Sequence, residues 1–134
     1  MIFTQTTKNI EIQVRPIYSR EHSSPKNHLY IWEYEIHISN HASVPVQLLN
    51  RYWKIKNAHG EAEEVRGPGV IGLQPIINVG EAFQYRSFTR LNTSTGEMVG
   101  IYEMISSDGE LIHVNIPVFQ LCQPARLVES SLAH

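Results

Sequence analysis

Gly67-Pro68-Gly69-Val70-Ile71-Gly72 has the spacing G-x-G-x-x-G. Between a strand and a helix, glycines so spaced let the backbone approach a pyrophosphate, which then rests on the helix N-terminus. The surroundings here do not supply that helix. Val70, Ile71, Ile76, Ile77 and Val79 are β-branched, Pro75 interrupts them, and no acidic residue follows at the distance needed to hold a ribose. Gly67 and Gly72 also match the start of a P-loop, but Leu73 and Gln74 stand where lysine and serine or threonine are required, and Pro68 removes a backbone donor. Two readings remain: a tight structural loop joining two strands, or a shallow anion or partner-binding site beside Arg66. The candidate binding residues are therefore Arg66, Gly67, Gly69 and Gly72.

Other chemistry is thinner. The seven histidines include no H-x-H pair, no H-E-x-x-H and no Cys/His cluster, so no metal site is assigned. Asp108 is the sole aspartate, which excludes any site built on two of them, and the Ser107-Asp108-Gly109-Glu110 sequence places it at a hairpin tip. No G-x-S-x-G elbow exists, and nothing near Cys122 lowers a thiol pKa. Glu33 and Glu35 share one strand face and could in principle act as acid and base, but such a pair is more often the solvated side of an edge or outer sheet. The residues imply no catalytic role and no cofactor.

The elements that would position these groups are strands. Tyr30, Trp32, Tyr34, Ile36 and Ile38 alternate with Glu33, Glu35, His37 and Ser39; Ile10, Ile12 and Val14 alternate with Glu11, Gln13 and Arg15; Ile112, Val114, Ile116 and Val118 alternate with His113, Asn115 and Pro117. From Val44 to Asn57 the phase changes, since Val46 and Leu48 are even whereas Arg51, Trp53 and Ile55 are odd. A β-bulge between Leu48 and Asn50 reconciles the halves into one bent strand. Evenly spaced turn signals then predict an all-β chain of about seven or eight antiparallel strands. Trp32 and Trp53 are expected in its core.

At 134 residues the chain fits one domain, 1–134, with a core over 10–121 and a flexible C-terminal tail over 122–134 that has one helical turn around Ala125 to Ser130. The net charge of -2 comes from 11 basic and 13 acidic residues, and the basic ones are scattered, which argues against nucleic acid as a partner. A single cysteine cannot form an internal disulfide, and neither a secretory signal nor a membrane-length apolar run is present, so a cytoplasmic setting is expected.

From Ile10 to about Leu121 the chain resembles the ApaG family. The resemblance is carried by Val46-Gln47-Leu48-Leu49-Asn50-Arg51-Tyr52-Trp53, the glycine segment with Gln74-Pro75, Phe83-Gln84-Tyr85-Arg86-Ser87, Leu91-Asn92-Thr93, Gly96-Glu97-Met98-Val99-Gly100 and Tyr102-Glu103-Met104. It implies a two-sheet sandwich of immunoglobulin-like or fibronectin-III-like layout. It also implies interaction rather than chemistry, with related domains in eukaryotic F-box and DNA-polymerase-interacting proteins. Bacterial members are associated with cobalt and magnesium tolerance and with diadenosine tetraphosphate metabolism, and Gly67, Gly69 and Gly72 match a suggested pyrophosphate contact. Two functions follow as expectations: a non-catalytic module that offers a sheet edge or the 66–72 loop to a protein partner, with a homodimer also open, or a protein that binds a phosphorylated nucleotide or a divalent-cation complex at that loop.

Overall fold

The computed structural model describes residues 1–123, so the helical turn expected beyond Pro124 lies outside the described residues. In chain order the strands are β1 (Phe3–Thr7), β2 (Ile10–Tyr18), β3 (Tyr30–Asn40), β4 (Val46–Asn57), β5 (Ala62–Pro68), β6 (Ile76–Ile77), β7 (Ala82–Leu91), β8 (Gly96–Ser106) and β9 (Leu111–Leu121). A 3-10 turn at Pro25–Asn27 is the sole helical element among the described residues. All pairings are antiparallel, in two sheets of order β1-β2-β3-β7 and β5-β4-β8-β9, with β6 paired to the start of β4 beside β5. The expected all-β sandwich forms, with more strands than the seven or eight read from the pattern. β1 is largely polar and β6 has two residues, so neither carries a readable alternation.

Burial follows the alternation. Ile10, Ile12, Val14, Ile36 and Ile38 of the first sheet face Leu48, Met98, Met104, Val114 and Phe119 of the second. Trp53 joins the two layers: its ring lies 5.4 Å from Tyr34 of β3, 5.9 Å from Phe119 and 6.5 Å from Tyr102. Trp32 is buried with its ring edge against Tyr18. The Tyr85 and Tyr102 hydroxyls, one from each sheet, share a hydrogen bond of 2.5 Å in the interior. Burial pushes both phenols up, so the pair is neutral.

Two bulges adjust the phase. The register of β4 against β8 slips between Leu48 and Asn50, which lets Val46 and Leu48 and then Trp53 and Ile55 all point inward, as expected. A second slip, opposite Met98 and Gly100, lies in β9 and overturns one expectation. Val118 was to continue the inward set of Ile112, Val114 and Ile116, yet it is 51% exposed while Phe119 is buried. The extra residue after Ile116 moves the inward position by one. The tip of the β8–β9 hairpin is Asp108-Gly109, as expected, with Gly109 at φ 88. There the Asp108 carboxylate accepts from the Ser106 hydroxyl and the Glu110 N–H, which holds its pKa below the usual value.

Candidate functional site

Antiparallel pairing of β4 with β5 sets Tyr52 opposite Arg66 on the outer face and Arg51 opposite Gly67 on the inner one. Arg51 lies two residues before buried Trp53, so alternation turns it inward, where a free guanidinium would be costly. It donates through Nη1 to the carbonyls of Pro68 and Gly69, both at 2.9 Å. A Cβ on Gly67 would stand 3.1 Å from the guanidinium nitrogens, so this glycine makes room for the arginine.

Beyond Pro68 the chain turns sharply. The Gly69 N–H donates to Leu49 O at 2.8 Å, and Val70 and Leu73 exchange both backbone hydrogen bonds at 2.9 Å. Between them Ile71 (φ 45) and Gly72 (φ 78) are both left-handed, the signature of a type I′ turn. Gly69 is also left-handed at φ 60, and a Cβ there would fall 2.1 Å from Leu73 O. The Gln74 side chain donates to Leu49 O, the Gln47 side chain to Gln74 O, and the Leu48 N–H to Pro75 O. The donors of Gly69, Val70 and Leu73 are thus spent on protein carbonyls, and Pro68 has none. A strand, not a helix, follows. What the loop presents to solvent is apolar: Ile71 is 56% exposed, Leu73 50% and Ile76 63%.

Beside the loop, the outer face of the second sheet carries an open groove of about 650 Å³ lined by Tyr52, Ile101, Arg66, Glu103 and His113 among others. The exposed Arg66 guanidinium lies 4.4 Å above the Tyr52 ring. The Tyr52 hydroxyl donates to Glu64 at 3.0 Å, which raises the phenol pKa. Glu103 accepts from Asn50 Nδ2 at 2.8 Å and contacts His113 Nε2 at 3.3 Å. The amide first and the imidazole second hold this carboxyl below its ordinary value, which makes it a weak base. Among the described residues no serine, threonine or cysteine lines the groove. The arrangement suits binding: an apolar and aromatic floor, a cation at one side and an ionised carboxylate at the other.

Of the residues singled out from sequence, Arg66 and Gly67 line the groove, whereas Gly69 and Gly72 lie beyond it in the turn. Arg51, Glu103 and His113 were not singled out. Arg51 did leave a signal, an arginine in phase with a core tryptophan. Glu103 and His113 left none, because their meeting depends on the β8–β9 register. Among the described residues no three histidine, cysteine, aspartate or glutamate side chains gather as a metal would need, and no helix is long and apolar enough to cross a membrane.

Residues 20–106 match the family model described as the ApaG domain. The chain is 45% identical over 123 residues to Protein ApaG of Paramagnetospirillum magneticum, covering 92% of this chain and 95% of that one. It is 46% identical over the same length to Protein ApaG of Mesorhizobium japonicum, with the same coverage. A crystal structure described as an ApaA protein from Bordetella pertussis superposes with a TM-score of 0.83 at 36% identity, over 90% of this chain and 95% of that one. Another structural-genomics crystal structure gives a TM-score of 0.82 at 38% identity, over 87% and 88%. None of these names states an enzymatic activity.

Proposed function

This chain belongs to the ApaG family, and we propose that it acts as a non-catalytic interaction module, docking a protein partner with the 66–76 loop and the adjoining groove. One observation carries this reading: Ile71, Leu73 and Ile76 are held in water by a loop fixed through the Gly69, Val70 and Leu73 N–H groups, which donate to protein carbonyls. A preorganised apolar surface beside polar groups is what a protein partner uses, because little entropy is lost on docking. The proposed working place is the cytoplasm.

A second reading rests on the groove. Arg66 over Tyr52 offers a cation above an aromatic floor, which suits a phosphorylated nucleotide or its divalent-cation complex, and the family's association with cobalt and magnesium tolerance would then act through that ligand. One pair of variants separates the two. Leu73→Glu should abolish capture of the partner from a lysate of the source cell and leave any nucleotide binding unchanged. Arg66→Ala should do the reverse in a titration with ATP or diadenosine tetraphosphate, with and without Mg²⁺ or Co²⁺. Saturable nucleotide binding tighter than about 100 μM that Arg66→Ala removes, with no partner lost in Leu73→Glu, would replace the first reading by the second.

A further inference from the structure

Of the strands that border the two sheets, β6 has only two residues, and the other four are unequally protected against pairing with other chains. β1 is five residues long, and its Thr7 hydroxyl accepts from the Asn115 N–H of β9, so those two borders cover each other. β9 also contains Pro117 and a bulge, and β5 runs into Gly67-Pro68, where a donor is missing. β7 has none of these devices. Its ten residues pair with β3 in unbroken register from Ala82↔Ser39 to Leu91↔Tyr30, without proline, lysine or bulge. Among the described residues no strand but β3 pairs with it, and no loop donates to or accepts from its backbone. A long, regular border of that kind is a template for strand addition.

We propose that β7 pairs antiparallel with β7 of a second copy about a two-fold axis at Ser87, making one continuous sheet from the two first sheets. The sequence of β7 selects the occupant and the register. Side chains must meet others on the same face, so the axis passes through a residue and not between two. Centred on Ser87, the pairing sets Arg86 opposite Phe88 of the partner and Gln84 opposite Arg90, each twice by symmetry. Phe88 points outward and is 65% exposed, which leaves its ring open to a guanidinium. Arg86 keeps its 2.7 Å contact to Glu35, because the edge of the guanidinium binds the carboxylate while its flat side remains for the ring. Ser87, half-buried and small, meets its own copy without crowding. The neighbouring registers are repulsive: an axis at Arg86 opposes Arg86 to itself, and one at Phe88 opposes Arg86 to Arg90. The two-fold closes both borders at once, so association stops at two copies. This surface is on the first sheet and does not depend on the loop and groove of the second.

The test uses the full chain with Cys122→Ser as background. Sedimentation velocity over about a hundredfold dilution series should show a monomer–dimer equilibrium. Phe88→Lys, which places a cation opposite Arg86, should weaken dimerisation at least about tenfold while leaving the melting temperature of the dilute protein unchanged. For the register, a variant carrying both Arg86→Cys and Phe88→Cys should oxidise to a covalent dimer, and each single cysteine variant should not. A monomer at every concentration, which would leave this border to a different chain, overturns the proposal. So does a dimer that Phe88→Lys does not disturb, or cross-linking of the single variants as fast as the double.

Discussion

On the outer face of the first sheet the interior strand β3 shows Glu33, Glu35, His37 and Ser39, whereas on the second sheet the interior strand β8 shows Glu97, Val99, Ile101, Glu103 and Ile105. Glu35 is flanked by Arg86 at 2.7 Å, Arg15 at 3.5 Å and His37 at 3.5 Å, and Arg86 also reaches Glu33. Those charges answer one another within the face. On the second sheet Ile105 stands in register between Gln47 and the exposed Leu111, and Gln47 pairs with the exposed Ile76. Glu103, the β8 carboxylate between Ile101 and Ile105, is held by Asn50 and His113. The difference teaches where to look for binding: a face whose interior charges are mutually paired leaves only its border, with Phe88, to another chain, whereas a half-apolar face bordered by an apolar loop is open across its width.

The comparison supposes that both faces stand on one core. Trp53→Ala, which removes the ring that bridges the layers, should cost about 3–5 kcal/mol in urea denaturation. A loss under about 1 kcal/mol would mean that the layers do not depend on this contact.

A smaller effect sharpens the rigidity ascribed to the second face. Gly69→Ala meets both a left-handed backbone and the Leu73 carbonyl, and should cost about 3 kcal/mol. Gly72→Ala meets open space and only the backbone penalty, about 1 kcal/mol. Equal losses in denaturant would show that the loop yields around residue 69 and is not the fixed platform described.

The smallest effect separates the two kinds of carboxylate. Glu35 and Glu103 both titrate below the ordinary value of 4.5, Glu35 chiefly through the Arg86 guanidinium and Glu103 chiefly through the neutral Asn50 amide. For a depressed folded pKa, the stabilisation is full above the unfolded value and is lost as pH falls through the folded one, so both contributions fade below about pH 4.5. Salt screens a charge and not an amide dipole at contact distance. In NMR carboxyl titrations, added salt should therefore raise the Glu35 pKa, which rests chiefly on a guanidinium, more than that of Glu103, where the imidazole of His113 comes second to the amide. If both move together, the first face is no more ionic in character than the second.

Much of this fold can be read in the sequence, because period-two burial is a local property. Ile10 to Val14 and Tyr30 to Ile38 reveal their faces, and even the β4 bulge shows as a change of phase between Leu48 and Arg51. The β9 bulge is not legible: Ile112 to Val118 alternates without a fault, and only the register against Met98 and Gly100 moves Phe119 inward in place of Val118. The site divides in the same way. Gly67 to Gly72 announces a special loop, since glycine spacing is local. The Arg51 latch, and the meeting of Asn50, Glu103 and His113, join residues of different strands, so their signal lies in pairing and not in any one segment.

Ile71 has a consequence of its own. A two-residue type I′ turn favours asparagine or aspartate at its first central position, and a β-branched residue in the left-handed region is an outlier that costs about 1–2 kcal/mol. Ile71 accepts that conformation while pointing more than half of its surface into water, so it contributes little burial in return. Ile71→Asn should accordingly raise the urea midpoint, an uncommon result for a change at a candidate contact point. At the crest of the loop, the shape of the exposed surface and the stability of the fold therefore make opposite demands on one residue.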